Sequence, residues 1–83
     1  MLEQILQENG LSEKETKVYL AVLQAGEATV ASIASRARLE RTTVYSLLEE
    51  MKTRGLITLN KRRGIQYVSA LSPRILIERF KDA

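Results

Sequence analysis

Apolar residues recur along this chain at two different spacings, and the change of spacing outlines the fold. Residues 2–8 carry Leu2, Ile5 and Leu6 on one stripe before Asn9-Gly10, which predicts a short helix. Ser12 with Glu15 has the S-x-x-E form of a capping box, so a second helix is expected from residue 13 to about Ala25, with Gly26 as its stop. Its centre, Val18 to Leu23, is apolar on every side, and such a helix must be covered on more than one face. Val30, Ile33, Ala34 and Ala37 then follow the i, i+3, i+4, i+7 pattern behind Thr29. Val44, Leu47, Leu48 and Met51 repeat it over residues 41–53, and Gly55 closes that helix.

After Gly55 the character becomes that of strands. Leu56-Ile57-Thr58-Leu59 and Ile65-Gln66-Tyr67-Val68 are rich in β-branched, aromatic and aliphatic residues, with a polar loop at 60–64 between them. Ser72-Pro73 then has the N-cap and N1 residues of a last helix, over 73–82, with Pro73, Leu76, Ile77 and Phe80 on one stripe.

Two short amphipathic helices separated only by Arg38, Leu39 and Glu40 form a helix-turn-helix, here over 30–53. A β-hairpin directly after it, over 56–70, is a wing. The expected architecture is therefore a single domain, mainly α with a small β-hairpin: a winged helix-turn-helix with extra amino- and carboxy-terminal helices.

Laid out at 100° per residue, the 41–53 helix turns Val44, Leu47, Leu48 and Met51 inward. Its outward amino-terminal half carries Arg41, Thr42, Thr43, Tyr45 and Ser46, with no acidic residue among them. Arginine can pair with guanine through two hydrogen bonds, hydroxyls can serve base edges or phosphates, and methyl groups can touch thymine. Recognition helices read bases chiefly with their first turns. Lys61, Arg62 and Arg63 at the hairpin tip would track the DNA backbone or enter the adjacent minor groove. The start of the 30–37 helix adds free N–H groups suited to a phosphate. A plainer reading stands beside each of these: hydroxyls and arginine at a helix start can simply cap and solvate it, Tyr45 can pack sideways onto the wing, and loop tips are often charged.

Charge strengthens the nucleic-acid reading. The net charge of the 83 residues is only +3. Residues 35–65 nevertheless hold Arg36, Arg38, Arg41, Lys52, Arg54, Lys61, Arg62 and Arg63 against Glu40, Glu49 and Glu50, a local +5, while the remainder is −2. With no Cys and no His, disulfides and Cys/His zinc sites are excluded, and the usual nucleophile–base pairs are missing. No enzyme, metal or cofactor is expected. No apolar run approaches the roughly 20 residues of a membrane span, and the first residues lack a signal-peptide layout, so a cytoplasmic protein is expected.

Four blocks carry a family resemblance: Leu11-Ser12-Glu13-Lys14-Glu15 with Val18-Tyr19-Leu20, Gly26-Glu27-Ala28-Thr29-Val30, Arg41-Thr42-Thr43-Val44-Tyr45, and Arg54-Gly55-Leu56-Ile57. In order and spacing they resemble the amino-terminal winged-helix domain of the TrmB family, over about residues 2–74. These regulators are mainly archaeal, also bacterial, and several respond to sugars. The resemblance implies a dimeric, sequence-specific transcription regulator on a palindromic operator, with Arg41, Thr42, Thr43 and Tyr45 in the recognition helix. Many members carry a large effector domain. The 83 residues hold none, so either a stand-alone member or a fragment is expected, and no sugar-binding property transfers. Two positions depart from the pattern. Glycine is common where Arg38 stands, so either Arg38 takes a positive φ or the turn differs. Ser or Asn is common where Glu40 stands, and a glutamate there suits the helix dipole but repels a nearby phosphate.

The terminal helices offer surplus apolar surface in Leu2, Ile5, Leu6, Ile75, Leu76, Ile77 and Phe80, the expected homodimer contact; capping of the domain's own core is the other use for them. A different functional class, a winged helix serving as a protein–protein interaction module of a transcription or chromosome complex, would present apolar or acidic residues on the outer face of the 41–53 helix. This one presents Arg, Thr, Tyr and Ser. Double-stranded RNA is a minor option, because its deep, narrow major groove would not admit the helix.

Overall fold

The computed structural model describes residues 1–82. All five expected helices form: α1 (Leu2–Glu8), α2 (Glu13–Ala25), α3 (Val30–Ala37), α4 (Arg41–Thr53) and α5 (Pro73–Asp82). The capping box at the start of α2 is complete. Ser12 Oγ accepts the Glu15 N–H at 3.1 Å, and Glu15 Oε1 accepts the Ser12 N–H at 2.9 Å. The Thr16 hydroxyl donates to the Ser12 carbonyl at 2.8 Å, which lets it sit in the interior without an orphaned polar atom.

α2 is the central post. Val18, Tyr19 and Val22 are fully buried, in one cluster with Leu6 of α1, Ile33 of α3, Val44, Leu48 and Met51 of α4, and Leu76 of α5. The all-round apolar centre of α2 thus has its covering elements. The buried Tyr19 hydroxyl donates to the Leu71 carbonyl, and Leu71 N–H donates to the Leu56 carbonyl at 3.0 Å. Those two bonds hold the segment that leads from the sheet into α5.

The β-structure is larger than the expected hairpin. Strands β1 (Glu27–Thr29), β2 (Ile57–Arg62) and β3 (Ile65–Ala70) form an antiparallel sheet in the order β1-β3-β2. β1 is three residues long, too short to show any periodicity, and it exists by pairing Ala28 with Val68 once β3 lies alongside. The hairpin strands also reach further than expected, as far as the Arg62–Ile65 pair. The connection shrinks from the expected 60–64 to Arg63 and Gly64, with φ of 51° and 77°. Positive φ at both central residues is what a two-residue type I′ turn requires, and its twist matches that of the strands it joins.

Two of the residues expected at a dimer contact are corrected by their burial. Leu6 is 0% and Leu76 1% exposed, because both plug the domain's own core against α2, so neither offers surface to a second copy. Burying such a side chain contributes about 1.5–3 kcal/mol to folding. Leu2 and Phe80 pack partly against the same cluster, Ile5 and Ile77 are half-buried, and Ile75 stays 49% exposed. Among the described residues, no helix is long and apolar enough to cross a membrane.

Candidate nucleic-acid interface

The turn between α3 and α4 is tight because Arg38 enters the left-handed region, at φ 57°. Its N–H then meets the Ser35 carbonyl at 3.4 Å, and Leu39 N–H meets that of Ala34 at 3.0 Å. This is the helix-ending arrangement that glycine favours, so the expected turn is kept and Arg38 takes the positive φ. Leu39 tucks against the core, and the chain restarts as α4 at Arg41, two residues later.

Val44, Leu48 and Met51 anchor α4, and the outward half-turns follow from that anchoring. Arg41, Thr42, Tyr45 and Ser46 are exposed, Tyr45 to 52%, and Thr43 is half-buried. Tyr45 therefore keeps about half of its surface open to solvent. Glu40 occupies the N-cap position but makes no side-chain hydrogen bond to the helix, so no side-chain cap covers the first-turn N–H groups of α4. At the start of α3, by contrast, the Thr29 hydroxyl already accepts the Ser32 N–H at 3.2 Å, so one of the amides expected to be free for a phosphate is occupied.

The far end of α4 is fixed twice. Gly55, at φ 74°, lets Leu56 N–H reach the Met51 carbonyl at 2.9 Å and its own N–H reach the Lys52 carbonyl at 3.0 Å. A Cβ at Gly55 would lie 2.7 Å from Arg79 Nη1, whose guanidinium donates to the Gly55 carbonyl at 3.3 Å. Arg54, the next residue back, donates to the buried carboxylate of Glu15. The chain passes directly from this junction into β2 through the buried Leu56 and Ile57, which places the hairpin beside α4.

The three basic residues of the hairpin do not act as one group. Strand alternation puts Lys61 on the face of the sheet shared by Ile57 and Leu59, which is the helix side, and Arg62 on the opposite face. Arg62 crosses over β3: its guanidinium carbon lies 4.3 Å from the centre of the Tyr67 ring, and its nitrogens donate to Glu27 at 2.6 and 3.2 Å. The hydrogen bond to Glu27 raises the pKa of a group that is always charged. Arg63 projects at the turn, and Lys61 and Arg63 make no ion pair among the described residues. Sequence reasoning missed the Arg62–Glu27 pair because it depends on β1, for which the sequence carries no signal.

All eight candidate interface residues of α4 and the wing are exposed or half-exposed, and among the described residues no group of three or more His, Asp or Glu side chains could hold a metal ion. The arrangement is a polar first turn and a half without an acidic residue, preceded by the exposed Glu40 at the N-cap, with two cations on the hairpin that make no ion pair among the described residues.

Comparison with known proteins agrees with this geometry. Residues 6–74 match the family model described as sugar-specific transcriptional regulator TrmB. The uncharacterized protein MJ1082 of Methanocaldococcus jannaschii is 37% identical over 62 residues, covering 71% of this chain and 52% of that protein. YrhO of Bacillus subtilis, also uncharacterized, is 33% identical over 64 residues, covering 77% of this chain and 23% of the other. Among solved structures, TrmBL2, an archaeal chromatin protein with a novel mode of DNA binding, superposes with a TM-score of 0.84 at 22% identity, over 98% of this chain and 32% of its own. BpsR of Bordetella bronchiseptica, whose DNA binding is regulated by 6-hydroxynicotinic acid, superposes with a TM-score of 0.75 at 20% identity, over 98% and 66%. The chain thus spans about half the length of MJ1082 and about a third of that of TrmBL2.

Proposed function

Because the chain belongs to the TrmB family of transcriptional regulators, we propose that it binds double-stranded DNA sequence-specifically, with α4 in the major groove and the hairpin on the backbone or in the adjacent minor groove. The observation that carries this reading is the exposed amino-terminal half of α4. Arg41, Thr42, Tyr45 and Ser46 are exposed to solvent, and the exposed Lys61 and Arg63 of the hairpin make no ion pair among the described residues. Arg41 and the hydroxyl side chains read base edges, Thr43 reaches from the flank, and Lys61 and Arg63 hold phosphates.

The working unit is a homodimer in the cytoplasm. Two copies would set their α4 helices roughly 34 Å apart, one turn of B-DNA, on a palindromic site. With Leu6 and Leu76 committed to the core, the contact falls on Ile75 and on the outer parts of Leu2, Ile5, Ile77 and Phe80. Light scattering at micromolar concentration tests this, and a clean monomer defeats it.

The decisive experiment is selection from a random duplex pool, followed by salt titration on the recovered sequences. A shared palindromic motif and a steep negative slope of log affinity against log salt are expected. Failure to enrich any sequence, with no affinity for duplex at low salt, would turn the assignment toward a protein-binding winged helix.

A further inference from the structure

Away from the hairpin, α1, α2 and the end of α3 border a cleft of about 290 Å³. That is close to the lower edge of the roughly 300–1,000 Å³ usual for small-molecule sites. Its apolar wall is the half-buried Leu20 with the buried Ala21 and Ala37 behind it, and the basic residues Lys17, Arg36 and Arg38 line the rest. Gln24 and Glu3 complete the rim. We propose that this cleft is a binding site for a small organic anion, a single carboxylate carried on a compact apolar body.

The charges argue for an anion. Three cations face one carboxylate, and Arg36 and Arg38 make no ion pair among the described residues. Lys17 has only the exposed Glu13, at 3.9 Å, a pairing of little strength in water. Crowded like charges repel, and a carboxylate held in an arginine fork relieves that repulsion through short charge-assisted bonds. The surplus over Glu3 is two positive charges, enough to hold a ligand carrying one carboxylate with positive charge to spare. Helix α3 ends here, and its last carbonyls oppose an anion; those of Ala34 and Ser35 are occupied by the N–H groups of Leu39 and Arg38, and the three cations must outweigh what the others contribute. Arg38, a residue of the cleft lining, occupies a left-handed position that glycine fills with less strain.

The apolar wall selects the ligand class. A DNA phosphate could meet these cations on an open surface and would gain nothing from Leu20, Ala21 and Ala37. A ring or short branched chain would lose water there while Gln24 orients a polar substituent.

The test uses the whole chain without DNA, so its outcome is independent of the nucleic-acid reading. Amide shifts are followed by NMR during titration with benzoate, and with benzamide as the uncharged control. Saturable shifts should cluster at Lys17, Gln24 and Arg36 to Arg38, with a dissociation constant on the order of 1 mM or tighter. Benzamide should bind about tenfold more weakly, as should benzoate to Lys17→Gln and to Arg38→Gly. Arg38→Gly removes the guanidinium while easing the backbone, and the exposed Lys17→Gln gives a second variant that does not touch the turn. The proposal is overturned if benzamide matches benzoate, if both variants keep the parent affinity, or if shifts are equally large at Lys61 and Arg63. It is overturned as well if benzoate produces no saturable shifts.

Discussion

One guanidinium nitrogen of Arg54 lies 3.1 and 3.3 Å from the two carboxylate oxygens of Glu15, across 39 positions of sequence. The same carboxylate accepts the Ser12 N–H that opens α2. A single buried acid therefore ties the beginning of the central helix to the end of α4. With Gly55 terminating α4 and Arg79 holding the Gly55 carbonyl, that end of the helix is fixed, and its opposite end is free to be presented to a partner.

Glu15→Ala should lower stability by about 2 kcal/mol, or roughly 10 °C in Tm for a domain of this size. It removes a cap and leaves Arg54 without its partner. The Arg54 side chain is 35% exposed, so water takes up part of that loss and the penalty falls below that of a fully buried pair. Arg54→Ala leaves Glu15, whose side chain is only 6% exposed, with one remaining donor. Urea denaturation of both single variants and the double variant checks this. Purely additive effects would show that the two groups do not interact.

Burial raises the Tyr19 phenol pKa above its ordinary value. The folded state therefore favours the neutral phenol, and the unfolded chain ionises first as pH rises. The associated stability is fully present below the unfolded pKa, about 10, and is lost as pH climbs through the folded pKa. Tyr19→Phe should be less stable at neutral pH, because the Leu71 carbonyl loses its donor. Above about pH 10 its stability should fall less steeply than that of the parent. Parallel curves for the two proteins from pH 9 to 11 would refute a buried neutral phenol.

Arg41→Ala should weaken binding to the selected duplex by about 1–3 kcal/mol and relax preference at one base position. Affinities measured on the selected site and on each single-base variant decide the matter. If every duplex weakens by the same factor, Arg41 holds a phosphate and the sequence is read by Thr42, Tyr45 and Ser46.

The helices were legible because each is written locally. Ser12 and Glu15 start α2, Gly26 and Gly55 stop helices, and Val44, Leu48 and Met51 mark the inner face of α4. Local patterns also gave the exposed face of α4, since fixing one side of a helix fixes the other. What escaped was set by distant partners. Glu27-Ala28-Thr29 becomes a strand only through β3, and Arg62 finds Glu27 only through that strand. Leu6 and Leu76 looked like surplus because nothing local shows how much apolar surface α2 needs covered. Arg38 was the intermediate case: its place in the turn was readable, but whether the backbone would accept a positive φ there was not.

Pairing with Glu27 changes what Arg62 contributes at the wing. Three basic residues in a row imply up to three phosphate contacts, and replacing all of them would flatten the log–log salt slope by up to about three units. In the structure Arg62 is held across Tyr67 by Glu27, on the face of the sheet away from the helices. Lys61→Ala with Arg63→Ala should therefore flatten the slope by up to about two units, while Arg62→Ala alone leaves it nearly unchanged. Glu27→Gln keeps the shape of the partner but removes its charge, which releases Arg62 to compete for phosphate. That variant should bind duplex at least as tightly as the parent, with a slope steeper by up to about one unit. Salt titrations of the four proteins on one duplex make the comparison. If Arg62→Ala flattens the slope by half as much as the Lys61 and Arg63 double variant does, the Arg62–Glu27 pair opens on DNA and the whole tip faces the backbone.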